Sequence, residues 1–356
     1  MLSTLKMPNY LKLLAAPAII GCASAAQAPA NTVSAIHDPI IESDVRRILS
    51  TLAHDSMEGR RTGTRGAEKA AAFIAGEMQS LGLKPGGDNG TYLQKVPFAA
   101  VTTTGQRPRL QLLDSIGALD AVPEVARRVG YNVIGIIPGN DPALRDEVVA
   151  FAAHYDGLGT GAAVNGDSIY NGADDDASGV TTVLEIARAL TKGPPPKRTI
   201  LIMATTGEEQ GILGTRWYVA HPVFPLSRMV AEMEIEMAGR PDSTIGGSGK
   251  LWMTGFERST MGSMLKDAGL PIVADPYPRF RFFERSDNIV FARSGIPAHT
   301  LSSYNLHEDY HKPSDDVSRI DFAHLTAIAR AAAEAARLLA DGPAPKWNPG
   351  GQPLPR

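Results

Sequence analysis

From Asp44 onward apolar residues recur at helical spacing, with Val45, Ile48, Leu49 and Leu52 on one face. A polar, glycine-bearing loop follows over 56–65. A second helical pattern, 66–81, is closed by Gly82 and Pro85-Gly-Gly. Four runs then read as extended: 92–98, 109–113, 131–137 and 147–154. Beyond them strand and helix alternate. A helix over 177–190 stops at Gly193-Pro-Pro-Pro, and a strand over 199–205 leads into a helix over 209–220. A strand over 229–237 precedes 251–254, a helix over 259–268, further strands near Ile272 and Ala298, and an alanine-rich helix over 322–339. Such alternation predicts an α/β fold, a mainly parallel mixed central sheet flanked by helices on both faces. No internal repeat is visible. The Pro/Gly-rich tail, 342–356, reads as disordered.

Ligands of such sheets gather beyond the carboxyl ends of the strands. His154, Glu208 and Glu236 each sit at or just past such an end, so the fold lets them converge. The segment Asn171-Gly-Ala-Asp-Asp-Asp-Ala-Ser-Gly179 lies between them, and Tyr310-His311 follows. Two histidines with several carboxylates are the donor types of a carboxylate-bridged zinc pair. Two such ions share and acidify a water and polarise a carbonyl, while a carboxylate outside the ligand set shuttles the proton. The adjacent Glu208 and Glu209 suit that division. Taken singly, each residue has a plainer reading. His154 fits a core histidine, Asp174–Asp176 a helix N-cap, Glu208-Glu209 an acidic first turn, Glu236 an exposed strand end, and Tyr310 simple packing. His221, His299 and His307 read as surface or structural, Met229, Met233 and Met237 as core. Trp217, Trp252 and Trp347 show no spacing that argues a substrate platform.

Taken together the motifs resemble a family. Asp55-Ser-Met-Glu-Gly-Arg60, Leu81-Gly-Leu-Lys-Pro85, Asn132-Val-Ile-Gly135, His154-Tyr-Asp156 and the Gly166–Gly179 segment are similar to the M28 zinc metallopeptidases. So are Gly207-Glu-Glu209, Gly295-Ile-Pro-Ala298 and Asp309-Tyr-His-Lys-Pro-Ser-Asp315. The resemblance implies a single-domain zinc exopeptidase fold over 42–340, with two Zn2+ ions and peptide substrates, acting as an aminopeptidase. Other divalent metals remain open. By position, Asp175 bridges both ions, Glu209 and His311 complete one, and His154 and Glu236 complete the other. The resemblance makes Glu208 the general base and acid, gives Asp156 the task of orienting His154, and sets the Tyr310 hydroxyl at the developing oxyanion. It also points to a cis peptide at Asp175–Asp176.

Three positions depart from the family pattern. Glu236-Met-Ala-Gly239 stands where Asp-Met-Ile-Gly is usual; Glu232, Glu234 and Glu236 share a strand face, and Glu236 lies nearest the carboxyl end. Asn288 and Gly157 each replace a histidine. The stretch between Phe98 and Tyr131 is too short for the protease-associated insert of some relatives. Carboxypeptidase or dipeptidase action stays open, as does glutaminyl cyclase action, although Trp217 comes later after the Glu pair than in cyclases. A non-catalytic binding domain on the same fold is the reading from another class.

The remaining composition narrows partners and compartment. At 356 residues with formal net charge −3 and a pI of about 6.3, the chain has no nucleic-acid footprint. Residues 1–30 read as a signal peptide. Lys6 and Lys12 precede a short apolar run, 13–20, and Ala23, Ser24, Ala25 and Ala26 offer cleavage sites. Ile19-Ile20-Gly21-Cys22 also fits a lipoprotein box, so the expectation is export to the periplasm or beyond, with a membrane link only through Cys22. As the sole cysteine, Cys22 leaves no internal disulfide.

Overall fold

In the computed structural model, residues 39–102 and 108–355 are described, and all belong to one compact unit. The expected signal segment and Cys22 lie outside them. Among the described residues ten strands form the main sheet. In spatial order they are Ile272–Ala274, Leu251–Met253, Ala298–Ser302, Met229–Ile235, Val148–His154, Thr199–Thr205, Arg127–Ile137, Leu93–Val101 and Arg109–Leu112, with Lys84–Pro85 paired to Arg127–Ile137. The four central strands, Ala298–Ser302 through Thr199–Thr205, run parallel. The flank from Arg127–Ile137 outward is antiparallel, because its strands follow one another without an intervening crossover helix.

Val148–His154 and Thr199–Thr205 are buried at every position, as their unbroken apolar runs require. One face is covered by helices Glu42–Leu52, Arg65–Ser80, Gly179–Lys192 and Phe322–Asp341. The alanines of the last helix, among them Ala329, Ala332, Ala333 and Ala336, are buried and permit close approach to Gly179–Lys192. The opposite face carries the shorter helices Leu213–Ala220 and Asn288–Arg293 over Ala150, Ala152, Leu201 and Met203.

Two local expectations need correction, and one element was missed. The helix expected from Glu209 begins only at Leu213. Gly207 and Ile212 both take positive φ (77° and 61°), and the amides of Gly211 and Ile212 close on the Glu208 carbonyl, so the acidic pair sits in a tight turn. The tail is ordered through Pro355. Trp347 pairs with Ser259, donates its indole N–H to the Gly295 carbonyl and packs against His299. An aromatic anchor outweighs the Pro/Gly composition there. A hairpin, Gly159–Val164 with Asp167–Tyr170, also went unread. Its signal was present: Asn165 and Gly166 both adopt positive φ, as a two-residue primed turn demands. Among the described residues no helix is long and apolar enough to cross a membrane.

Candidate metal centre

His154 is the last residue of its strand, Glu236 follows directly on Met229–Ile235, and Glu208 and Glu209 lie just beyond Thr199–Thr205. Parallel alignment brings all three ends to one edge of the sheet. The bridging loop delivers Asp175 between them, held by a left-handed Gly172 and a cis Asp175–Asp176 peptide. The 307–315 loop closes the site with Tyr310 and His311.

Two donor groups result, each with ligand atoms within 4.8 Å of one another: His154, Asp175 and Glu236, and Asp175, Glu209 and His311. Asp175 belongs to both. Its Oδ1 stands 3.3 Å from His154 Nε2 and its Oδ2 3.1 Å from His311 Nε2, while Glu209 Oε1 is 3.2 Å from the same His311 nitrogen. Of the candidates, Glu236 rather than Glu234 joins a donor group; Glu232 and Glu234 lie deeper in the sheet, fully buried.

The donors fit a pair of zinc ions on three counts. Nitrogen and carboxylate oxygen are the atoms zinc takes. His154 Nε2 is buried and lacks a well-formed hydrogen bond among the described residues, which is costly for an imidazole nitrogen unless a cation is its partner. The electrostatics also call for positive charge. Burial raises Glu208 well above the ordinary carboxylate range and lifts Glu236 to about 7, neighbouring carboxylates adding to both. Burial disfavours a charged His311, yet hydrogen bonds to Asp175 and Glu209 push it up to about 10. Burial likewise opposes ionisation of Asp175, but both imidazoles hold it below its usual value.

The supporting residues behave differently from expectation at one point. The Asp156 carboxylate is 3.9 Å from His154 Nδ1; the hydrogen bond from that nitrogen goes to the Asp156 main-chain carbonyl at 3.1 Å. The carboxylate instead accepts the Glu208 N–H (3.1 Å) and the Thr62 hydroxyl (3.0 Å). It orients Glu208. Burial raises it to about 6, the His154 imidazole opposing the rise.

Other residues at the site were not foreseen. Arg60, ending the Asp55-Ser-Met-Glu-Gly-Arg60 motif, is fully buried and donates to the carbonyls of Leu52, Tyr155, Asn171 and Gly172. It ties the residue after His154 to the loop before Asp175. Gly59 permits this approach: at φ 65° a Cβ would stand 2.6 Å from the Gly159 and Tyr170 carbonyls. Asp315 accepts the amides of Asp174 and Asp175, and Arg240 joins Asp315 to Asp309. His307, read as surface or structural, bonds Asp174 at 2.9 Å.

A cleft opens on the centre, lined by Glu208, Glu236 and Tyr310 and walled by Trp252, Phe282 and Tyr304. Tyr310 stacks on His311 with ring centroids 3.8 Å apart. Trp252, given no role by spacing, is a wall of this cleft.

The family model described as peptidase family M28 matches residues 132–336. A probable zinc metalloprotease of Pyrenophora teres f. teres is 28% identical over 210 residues, 56% of this chain and 38% of that protein. A probable leucine aminopeptidase 2 of Aspergillus fumigatus is 26% identical over 254 residues, 70% of this chain and 45% of that protein. The chain thus spans less than half the length of these curated relatives. Among solved structures, BSAP, a zinc aminopeptidase from Bacillus subtilis, superposes with a TM-score of 0.63 at 16% identity, covering 86% of this chain and 96% of that one. Porphyromonas gingivalis glutaminyl cyclase gives 0.58 at 15% identity, covering 84% and 98%. At these identities the structures establish the fold.

Proposed function

The chain belongs to peptidase family M28, and from that premise we propose that it is an exported dizinc aminopeptidase, hydrolysing the first peptide bond of substrates with a free N-terminus. The observation that carries this reading is the pair of donor groups sharing Asp175. His154 and Glu236 would complete one zinc site, Glu209 and His311 the other. When bound, the ions supply an acidified water and a polarised scissile carbonyl.

The chain does the rest. Glu208, fixed through its amide by Asp156, projects its carboxyl into the cleft, takes the water's proton and returns it to the departing amine. Tyr310, held flat against His311, offers its hydroxyl to the carbonyl oxygen as charge develops. Burial keeps that phenol protonated far above neutrality, so it serves as donor throughout. The cyclase reading lacks an indole beside the Glu pair. Trp217 packs with Val96, Phe98 and Leu213, and Trp252 comes from a different strand.

The test is hydrolysis of aminoacyl-p-nitroanilides beside N-blocked counterparts, with zinc or chelator, for the native chain and Glu208→Gln. Cleavage of free-amine substrates alone, abolished by chelator and reduced about 10²–10⁴-fold in Glu208→Gln, is expected. Equal cleavage of blocked substrates, or an unimpaired Glu208→Gln, rejects the assignment.

A further inference from the structure

The cleft is not a uniformly apolar pocket. Its aromatic walls meet a set of buried hydroxyls, Thr254, Thr300 and Ser302, each at most 2% exposed. Two of them have spent their protons: Thr300 donates to Asn288 Oδ1 and Ser302 to the Met237 carbonyl. Thr254 differs. Its oxygen accepts the Thr300 amide, and among the described residues its own proton has no acceptor.

On the same cleft lies Arg285, stacked over Phe282 with its guanidinium carbon 5.2 Å from the ring centroid. Nearby arginines are matched: Arg281 pairs with Glu284, Arg240 with Asp309 and Asp315, and Arg258 donates to the Gly351 carbonyl. Arg285 has no carboxylate within ion-pairing distance among the described residues. It lines the cleft together with Tyr304 and Tyr310. The guanidinium offers donors only and the Thr254 hydroxyl has its one proton left to give, a pair of donors that complements a carboxylate.

We infer that this cleft receives a carboxylate of the substrate and that Arg285, with the Thr254 hydroxyl, reads it. The inference rests on the peptidase reading and adds a substrate class to it. The carboxylate comes either from an acidic side chain on the first residue or from the free terminus of a dipeptide. Glu and Gln side chains have nearly the same shape, so charge is the variable isolated by comparing them.

The zinc-loaded protein would be assayed on Glu-, Gln- and Leu-anilides, and on Leu-Leu against Leu-Leu-amide. The expected result is about tenfold higher kcat/KM for Glu over Gln, carried by KM. Arg285→Gln should erase that ratio and Arg285→Lys retain part of it; a merely structural role would lower both substrates together. If the preference appears only for Leu-Leu over its amide, and Arg285→Gln removes it, the carboxylate is the chain terminus. Hydrolysis with no charge preference in either arm overturns the Arg285 assignment alone. Absence of all hydrolysis overturns the peptidase reading, and calorimetry then decides the cleft. Glutamate binding tighter than glutamine, with the difference lost in Arg285→Gln, upholds it; equal binding rejects it.

Discussion

Asp174, Asp175 and Asp176 are the same side chain three times, yet the backbone sends each to a different partner. Asp174 accepts the Gly239 amide and the His307 imidazole, and Asp176 accepts the amides of Gly179 and Met237. Both therefore brace the turn that follows Glu236, leaving Asp175 to face His154 and His311. The family resemblance singled out Asp175, but periodicity could not say which amides Asp174 and Asp176 accept, since that depends on a loop conformation with no periodic signature. Asp156 shows the same limit: its spacing from His154 was readable, its grip on the Glu208 amide was not. Asp156→Asn should lower kcat about 10–100-fold while bound zinc, measured by elemental analysis, stays at the native level. Loss of metal in step with activity would return Asp156 to the role first expected of it.

At the scale of elements, the long periodic segments were legible and the irregular ones were not. Strands 199–205 and 147–154 and the last helix were found within a residue or two, because burial and periodicity act over many positions at once. The turn around Glu208 and the hairpin at Asn165-Gly166 depend on two or three backbone angles each. Strand Met229–Ile235 holds two fully buried carboxyls, Glu232 and Glu234. Glu232 lies between Ala150 and Ala298 on its neighbouring strands, with no cationic partner among the described residues. Burial, with Asp287 adding and the Glu234 carboxyl opposing, raises its carboxyl well above the ordinary range. A group raised in the folded state contributes fully only below its unfolded value, about 4.3, and loses that contribution as pH rises through the folded one. Glu232→Gln should therefore stabilise the protein at pH 8 by about 1–4 kcal/mol and scarcely at all near pH 4. Urea unfolding at the two pH values would show it; a destabilised variant at pH 8 would mean that the charge is compensated.

The molecule as a whole has a matching limb on the acid side. His324 accepts the Gly249 amide at Nδ1 and donates to Ser303 at Nε2, so both ring nitrogens are committed in the neutral form. His299 bonds the Thr254 carbonyl and the Ser259 hydroxyl within the sheet. Burial lowers both to about 4. Depressed values contribute stability above the unfolded pKa of about 6.5 and lose it as pH falls through 4, on the order of 3 kcal/mol per histidine. Unfolding midpoints in excess zinc should decline from pH 7 to pH 4.5, and His324→Asn should flatten part of that slope. An unchanged slope would place the acid sensitivity elsewhere.

Arg60 carries a consequence for how such proteins are delimited. Its four carbonyl partners include Tyr155, Asn171 and Gly172, all inside the 132–336 segment that the family model matches, while Arg60 itself lies well outside it. The matched segment and the folding unit therefore do not coincide. A gene fragment cut at 132 and 336 would encode every proposed zinc ligand and still leave those carbonyls buried with nothing to satisfy them. The donors of the chemistry lie within those limits; the guanidinium that lets their loops be buried lies upstream, in the motif that ends at Arg60.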